Sequence, residues 1–532
     1  MKEILFNEEA RHKMLSGVKK LNEAVSSTLG AKGKHVIIQQ GSQYAVTKDG
    51  VTVAHNFELS DPVENAAASI VKDAASRTAR EAGDGTTTST VIANSLITNA
   101  FRLISSGANP MDLKRGIDKA NSDFLEYIDS QSIPVDGTED IYNIAKISGN
   151  NDPKIGRMIS DIFESVGKNG AIRLEETGMN ETMVEVIDGC QISGGMISPN
   201  FITNQTKRIA DYQDAIIFLT DKKFENSFSE LIPMLTKSQE FNKPLIIICG
   251  GMEGESLGTL VINKVQKKFR VVAVTAPDFG ENRMEILDDL AAMTGATVIS
   301  EARGLHIDTM SASDFGRADR VIVSDKITTI IGRSGTQEAI NARIETIKQQ
   351  QEDDTNKNQA WRLSKRLASL TSGIGVIYVG GNSDTEMKES YYRLEDALAA
   401  TKSALDEGYL PGGGIAYINA AKYLKVLKND CARKDEIDGY NILVESLYSP
   451  FSTIIRNCGL NGEVVLSRIG YEQGEVFKTS IGYNALTDEY GDMLEMGIID
   501  PCKVIKSAVK NAVSVAGMII TTNCTIVNEV KN

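Results

Sequence analysis

The sequence predicts a multidomain α and α/β protein in which a helical domain is interrupted by an inserted α/β domain. Three observations carry this expectation. Up to roughly residue 130 the apolar positions recur mostly at helical spacing. From about Val184 the pattern shifts to short, β-branched apolar runs alternating with helical stretches, as in α/β units around a buried sheet. After Ala404 helical spacing returns. A chain of 532 residues also exceeds what one core usually serves, so about three domains are expected.

Composition narrows the function classes. An apolar content of 41% with 24% charged residues reads as soluble and globular. The net charge of −14 argues against nucleic acid or an anionic membrane as the main partner. Met1-Lys2-Glu3-Ile4 opens no long apolar core, so a secretory signal is not expected, and no stretch reaches the ~18 apolar residues of a membrane span. Six cysteines lie scattered without a C-x-x-C pair, which points to free thiols in a reducing compartment and a cytoplasmic location. Four histidines, none at metal-ligand spacing, leave His-based metal chemistry without support.

Taken in order, residues 10–28 form a helix with Met14, Val18, Leu21 and Val25 along one stripe, leaving through Leu29-Gly30-Ala31-Lys32-Gly33. Residues 36–38 and 44–46 read as strands around a turn at Gly41-Ser42, and the second runs into Thr47-Lys48-Asp49-Gly50. Helices are expected over 65–82, from 86 to about 105, and from Pro110, a good first-turn residue, to near 130. In the inserted block, 215–219, 245–249, 271–276, 297–300 and 320–323 are the strand candidates. Residues 337–370 are charged and read as a long helical hairpin, and Gly189, Gly373 and Gly375 bracket the block as flexible boundaries.

The run Gly83-Asp84-Gly85-Thr86-Thr87-Thr88 delivers the chain from one helix straight onto the N-terminus of the next. Its glycines allow positive φ, its threonines are able to cap free amides, and such an end attracts phosphate. Asp84 conflicts with a phosphate unless a hard cation lies between them, which Mg²⁺ would supply. Two readings stay open on the residues alone: a capped helix after an Asp-Gly turn, or a cation-bridged phosphate site. Asp396 is read the bland way. It lies about 200° round from Leu394, off the face shared by Leu394, Leu398, Thr401 and Leu405, as an ordinary solvated acid would.

A third feature is a surplus of apolar surface. Over residues 254–269, Leu257, Leu260, Val261, Ile262 and Val265 span an arc of about 200°, against the ~100° that docks one core face. A neighbouring segment, 230–241, carries Leu231, Ile232, Met234 and Leu235 around Pro233. Core packing accounts for each residue singly; the surplus fits an exposed binding surface.

Thr28-Leu29-Gly30, Thr47 to Gly50, Gly83 to Thr88 and the stretch from Asn109 to Asp118 resemble the group I chaperonins, the GroEL-type 60-kDa family of bacteria and phages. So do Leu394-Glu395-Asp396-Ala397, Gly412-Gly413-Gly414, Tyr483-Asn484-Ala485 and Gly497-Ile498-Ile499-Asp500-Pro501, and the match is collinear from about residue 3 to 525. The resemblance implies a helical equatorial ATPase domain (1–130 and 407–532), a small intermediate domain (131–187 and 375–406) and an α/β apical domain (188–374). It implies ATP, Mg²⁺ and K⁺ as cofactors. Thr28, Leu29, Gly30, Lys48, Asp49 and Asp84, Gly85, Thr86, Thr87 and Thr88 would surround the phosphates, with Asp84 on Mg²⁺ and K⁺ near Thr28 and Lys48. Gly413, Asn484, Ala485 and Asp500, with Ile147 and Ile498 beside them, would hold adenine and ribose. Asp396, and with it Asp49, would serve catalysis, Asp396 orienting the attacking water. Phe201, Ile232, Leu235, Leu257, Val261 and Ile262 would form the groove for non-native polypeptides and a co-chaperonin.

The implied protein is an ATP-dependent folding chaperone assembled as a heptameric homo-oligomeric ring, single or stacked, acting without nucleic acid or membrane. The alternatives are a ring scaffold without a productive folding cycle and a small-molecule phosphotransferase. Departures from the family pattern are Ala31, Ser403, and Met196 and Asn200 at tyrosine positions of the groove. The sequence ends at Lys531-Asn532 without a Gly-Met-rich tail, so a chamber floor lacking that lining is expected. Leu460, Asn461, Ser452 and Lys434 stand where double-ring members pair charges between rings, which favours a single or easily separated ring.

Overall fold

The computed structural model describes residues 2–40, 43–168, 170–177, 179–225, 228–353, 357–427, 431–472 and 480–528. The expected turn at Gly41-Ser42 and the terminal Lys531-Asn532 lie outside them. Two compact units result: one of Met1–Asp161, Gly178–Glu181 and Val379–Asn532, the other of Ile162–Thr177 and Thr182–Tyr378. The protein is thus a multidomain α and α/β fold with the α/β part inserted in the helical part.

The first unit is a helical assembly. The helix Asn7–Ser26 buries Met14, Val18, Leu21 and Val25, the stripe expected from spacing. Pro62–Ala82 starts at Asp61, whose carboxylate accepts the N–H groups of Val63 and Glu64, and stops at Gly83 in the left-handed region. Thr86–Ser105 and Pro110–Gln131 follow. The helix Cys502–Ile520 buries most of its surface and packs against the helices at 62–82, 86–105 and 110–131. Gly116 lets the helices Pro110–Gln131 and Lys434–Ser446 touch, because a Cβ there would lie 1.9 Å from the Glu436 carbonyl oxygen. Each aliphatic side chain sealed into this core contributes about 1.5–3 kcal/mol. Small antiparallel pairs decorate the unit: Val36–Gln40 with Gln43–Thr47, Tyr409–Pro411 with Ile499–Pro501, and Ile481–Asn484 with Glu489–Asp492.

The second unit is built on a seven-stranded mixed sheet. Val271–Thr275, Leu245–Cys249 and Ala210–Thr220 run parallel, and Val298–Ile299 joins Ala210–Thr220 in parallel as well. Gly316–Val323, Thr328–Ile331 and Gly189–Ile192 continue antiparallel from the other edge of Ala210–Thr220. Leu245–Cys249 is buried at every position, which explains why these strands read as continuous apolar runs rather than alternating ones. The charged segment forms two helices, Gln337–Asp353 and Lys357–Thr371.

The bracketing glycines are not flexible boundaries. A Cβ on Gly189 would lie 2.4 Å from the Ile330 carbonyl oxygen, on Gly373 2.6 Å from that of Ile187, and on Gly375 2.5 Å from Ile162 Cδ1. Close packing, not freedom of φ, requires glycine at these positions.

Candidate functional site

Within the helical unit a cavity of about 570 Å³ gathers nearly all the residues singled out around its acidic turns. Thr28, Leu29, Gly30, Lys48, Asp49, Asp84, Gly85, Thr87 and Thr88 line it, and so do Ile147, Asp396, Gly413, Asn484, Ala485, Ile498 and Asp500. Thr86 sits behind the lining, its side chain buried and its Oγ1 without a hydrogen-bond partner.

The turn at 83–85 is built for close approach. Gly83 and Gly85 adopt φ of 79° and 91°, and Gly85 is the N-cap of Thr86–Ser105. That N-terminus has no capping side chain. The expectation that the threonines cap it is therefore corrected: its first-turn amides stay free to meet an anion. Asp84 turns back on itself, its Oδ1 accepting the Gly85 N–H at 2.5 Å. Burial and then the nearby charge of Asp49 raise its proton affinity, against the Gly85 amide and a hydrogen bond from Ser148.

Asp49 is fixed by its own helix. Its two carboxylate oxygens accept Val51 N–H at 3.0 Å and Thr52 N–H at 2.7 Å, capping Gly50–His55. Beside it Lys48 donates to Asn150 Oδ1 at 2.7 Å, and burial lowers the pKa of its ammonium. Gly50 sits close to the Thr87 side chain: a Cβ there would lie 2.1 Å from Thr87 Oγ1, so any larger residue would turn that hydroxyl aside. Thr28 donates to the Val25 carbonyl at 2.8 Å, which ties the helix exit to the same wall.

Asp396 corrects the reading drawn from its helix face. It lies on Asp384–Glu407 and lines the cavity rather than facing bulk water. Burial, then the charges of Asp84, Asp49 and Glu395, hold its carboxyl well above the usual range. The neighbouring helix Thr138–Ser148, which ends next to Ile147, packs against the same helix.

The far end of the cavity is less polar. Gly413 and Gly414 take φ of 64° and 85°, and a Cβ on Gly413 would lie 2.7 Å from Met493 Cε. Asn484 Oδ1 accepts the Leu486 N–H at 3.0 Å, holding the turn that carries the buried Ala485. Asp500, opposite Leu410 in its strand pair, is pushed up to about 7 by burial and by Asp84. Sequence reasoning missed several lining residues: Lys388, Tyr392 and Arg393 on the Asp396 helix, and Asn150, Tyr417, Met493 and Met496. Position relative to Asp396 was the available signal for Arg393, three residues earlier on the helix, which pairs with Asp152 at 3.6 Å.

The donor set suits a phosphate with a hard cation. Free helix amides supply the anion side; crowded carboxylates that resist ionisation supply the cation side. Among the described residues no three His, Cys, Asp or Glu side chains converge to hold a metal alone. That fits a cation shared between one or two carboxylates and phosphate oxygens.

The expected groove in the other unit is only partly open. Ile232 and Ile262 are 49% and 55% exposed, and Val265 beside them is 64% exposed. Leu257 and Val261 are half-buried against the core. Phe201 and Leu235 are corrected: at 0% and 4% exposure they are core side chains. Helix Gly254–Val265 rests on the turn Phe228–Leu231, and Ser256 and Leu260 take its buried line. A second cavity in this unit, of similar volume, is walled by Asp289 and Arg366, which pair at 2.7 Å.

All six cysteines are free, and no described helix is long and apolar enough to cross a membrane. The model of the TCP-1/cpn60 chaperonin family matches residues 21–530. Among solved structures, the chaperonin gp146 from bacteriophage EL 2 (Pseudomonas aeruginosa), crystallised in the presence of ATP-BeFx, aligns over 99% of both chains. Its crystal form II gives a TM-score of 0.77 at 21% identity. Crystal form I gives 0.67 at 20% identity, again over 99% of both chains.

Proposed function

This chain belongs to the TCP-1/cpn60 chaperonin family, and from that premise we propose that it is an ATP-driven folding chaperone. In this reading 1–130 and 407–532 form the equatorial ATPase domain, 131–187 and 375–406 the intermediate domain, and 188–374 the apical domain. Seven copies form a ring, single or stacked, that acts in the cytoplasm with a small co-chaperonin.

The observation that carries the reading is the uncapped N-terminus of Thr86–Ser105, preceded by two left-handed glycines and facing Asp84, Asp49 and Asp396 across one cavity. ATP would set its phosphates on the first-turn amides of Thr86–Ser105, with Thr28, Gly30 and Lys48 beside them. Asp84 would hold Mg²⁺, K⁺ would lie near Thr28 and Lys48, and Mg²⁺ would neutralise charge developing on the phosphates. Asp396 would orient the attacking water and accept its proton. Asp49, whose two oxygens also cap Gly50–His55, would serve catalysis beside Asp396. Gly413, Asn484, Ala485, Ile147, Ile498 and Asp500 would receive adenine and ribose. Phosphoryl transfer asks for positioning and charge stabilisation, and this set supplies both without histidine.

Non-native chains would be captured on the exposed Ile232, Ile262 and Val265, with Leu257 and Val261 at the base of the patch. Steady-state ATPase measured together with refolding of a denatured test protein decides the reading. Hydrolysis without refolding would favour the ring scaffold, and neither activity would refute the proposal. Native mass spectrometry with and without ATP counts the rings, and a fourteen-subunit species persisting under both conditions would refute an easily separated ring.

A further inference from the structure

The helix that carries Asp396 meets the 83–85 turn along one line of side chains. Asp396, Ala399 and Ser403 are spaced three and seven residues apart, so they share a face. In the middle of that line, Ala399 fills the space beside Gly83: a Cβ on Gly83 would lie 2.1 Å from the Ala399 Cβ. At its lower end Ser403 is 5% exposed, and its hydroxyl donates to the carbonyl of Ala82 at 2.9 Å. Ala82 is the last residue of Pro62–Ala82, and its carbonyl is one of the four that helix geometry leaves without an intrahelical partner. A serine inside a helix usually returns its hydroxyl to its own backbone four residues back, as Thr401 does to Ala397 at 2.7 Å. Ser403 instead spends its only donor on another helix.

We propose that Ser403 is a positioning residue for hydrolysis: its bond to Ala82 fixes the rotation and height of the Asp384–Glu407 helix over the 83–85 turn. Asp396 then stands at a set distance from Asp84 and from the free first-turn amides of Thr86–Ser105. The Ala399–Gly83 contact limits how near the helix comes, and the hydroxyl limits how it turns. Ser403 does not line the cavity, so it acts on the reaction only through Asp396. The proposal rests on the reading of this cavity as an ATP site in which Asp396 works on the attacking water.

The test uses the full chain with Ser403→Ala, Ser403→Thr, Asp396→Ala and the Ser403→Ala/Asp396→Ala double variant. Single-turnover hydrolysis of radiolabelled ATP and equilibrium binding of a fluorescent ATP analogue are measured for each. Ser403→Ala is expected to hydrolyse about three- to tenfold more slowly, the effect of one buried hydrogen bond, with nucleotide affinity unchanged within about twofold. Ser403→Thr keeps the hydroxyl and is expected to recover at least half of that loss. On the Asp396→Ala background, Ser403→Ala is expected to change the rate by less than about twofold.

Three outcomes overturn the proposal: a wild-type rate for Ser403→Ala, an equal loss in Ser403→Thr, or the same fold-loss repeated on the Asp396→Ala background. Failure of the wider reading looks different. In that case Asp396→Ala itself turns over ATP as the wild type does, and the role of Ser403 falls with it.

Discussion

Replacing Asp396 by alanine separates two roles that the cavity combines, charge repulsion in the empty site and water orientation during hydrolysis. A positioned acid–base group contributes at least about 10²-fold in rate, so hydrolysis is expected to fall by that factor, about 2.7 kcal/mol in the barrier. Binding should move the other way. Asp396 lies near Asp84 and Asp49, and their charges raise its proton affinity after burial does. Removing one neighbouring like charge in a partly solvated cavity contributes on the order of 1 kcal/mol. ATP is therefore expected to bind as tightly as before, or up to about fivefold more tightly.

The same repulsion sets a pH signature in the nucleotide-free protein. A carboxyl with a raised folded-state pKa contributes stability that is present below the ordinary value of 3.8 and lost as pH rises through the folded value. The variant escapes that loss, so its melting temperature should exceed the wild type's at pH 8 and converge with it toward pH 4. Single-turnover hydrolysis, nucleotide titration and thermal melts at several pH values make the assay. Wild-type hydrolysis with intact binding would refute the reasoning.

Gly85→Ala forces an L-residue into φ 91° and sets a Cβ 2.9 Å from Val504 Cγ1, so a loss of about 2–4 kcal/mol and at least tenfold weaker ATP binding are expected. Unchanged melting and binding would mean that the turn relaxes freely. Ile232→Ser with Ile262→Ser should cut capture of a denatured protein by about threefold or more while melting stays within about 2 °C. Phe201→Ala, by contrast, should cost about 3–5 kcal/mol as a core deletion. Full capture by the double variant would remove the patch from the binding surface. Asp500→Asn should stabilise the nucleotide-free protein by about 1–2 kcal/mol above pH 7, after discounting for water in the cavity, and by nothing near pH 4. A melt difference that does not depend on pH would refute that cause.

Helical stripes and buried strands were legible because burial imposes period on the sequence. The Met14–Val25 stripe and the Leu245–Cys249 run stand in the structure as the spacing implied. The strand Lys2–Phe6 was missed: it pairs with Cys524–Asn528, a partner more than five hundred residues away that no local pattern announces. The helix-face reading of Asp396 and the resemblance-based placement of Phe201 failed for different reasons. A helical wheel reports which face is apolar, but not which element covers the other face, and a resemblance carries over a position without its exposure. The polar side of Asp384–Glu407 lines a cavity, and Phe201 is buried where Pro199–Phe201 packs against the helix Gly254–Val265 and the strand Val271–Thr275. The glycines at 83 and 85 were legible as a turn, yet whether Gly85 or a threonine capped the next helix depended on backbone geometry that composition does not encode.

The charges of the cavity make a last demand. Asp84, Asp49, Asp396 and Asp500 share one space, and burial with mutual repulsion raises the proton affinity of Asp84, Asp396 and Asp500. Against them stand Lys48, whose charged form burial disfavours, Lys146, Lys388 and Arg393, the last already paired with Asp152 and Glu389, and a helix N-terminus worth about half an elementary charge. A triphosphate adds further negative charge, so the protein's own donors do not balance the site. Nucleotide binding should therefore depend steeply on Mg²⁺, and chelating it should weaken ATP binding at least about 100-fold, roughly 2.7 kcal/mol. Asp84→Asn removes the carboxylate nearest the free amides, so that variant should bind metal-free ATP better than the wild type does and gain less from added Mg²⁺. Isothermal titration of both proteins with and without Mg²⁺ measures the difference. Equal affinity for ATP in chelator and in Mg²⁺ would show that the cavity accommodates a bare triphosphate, and the assignment of Asp84 to the cation would fall.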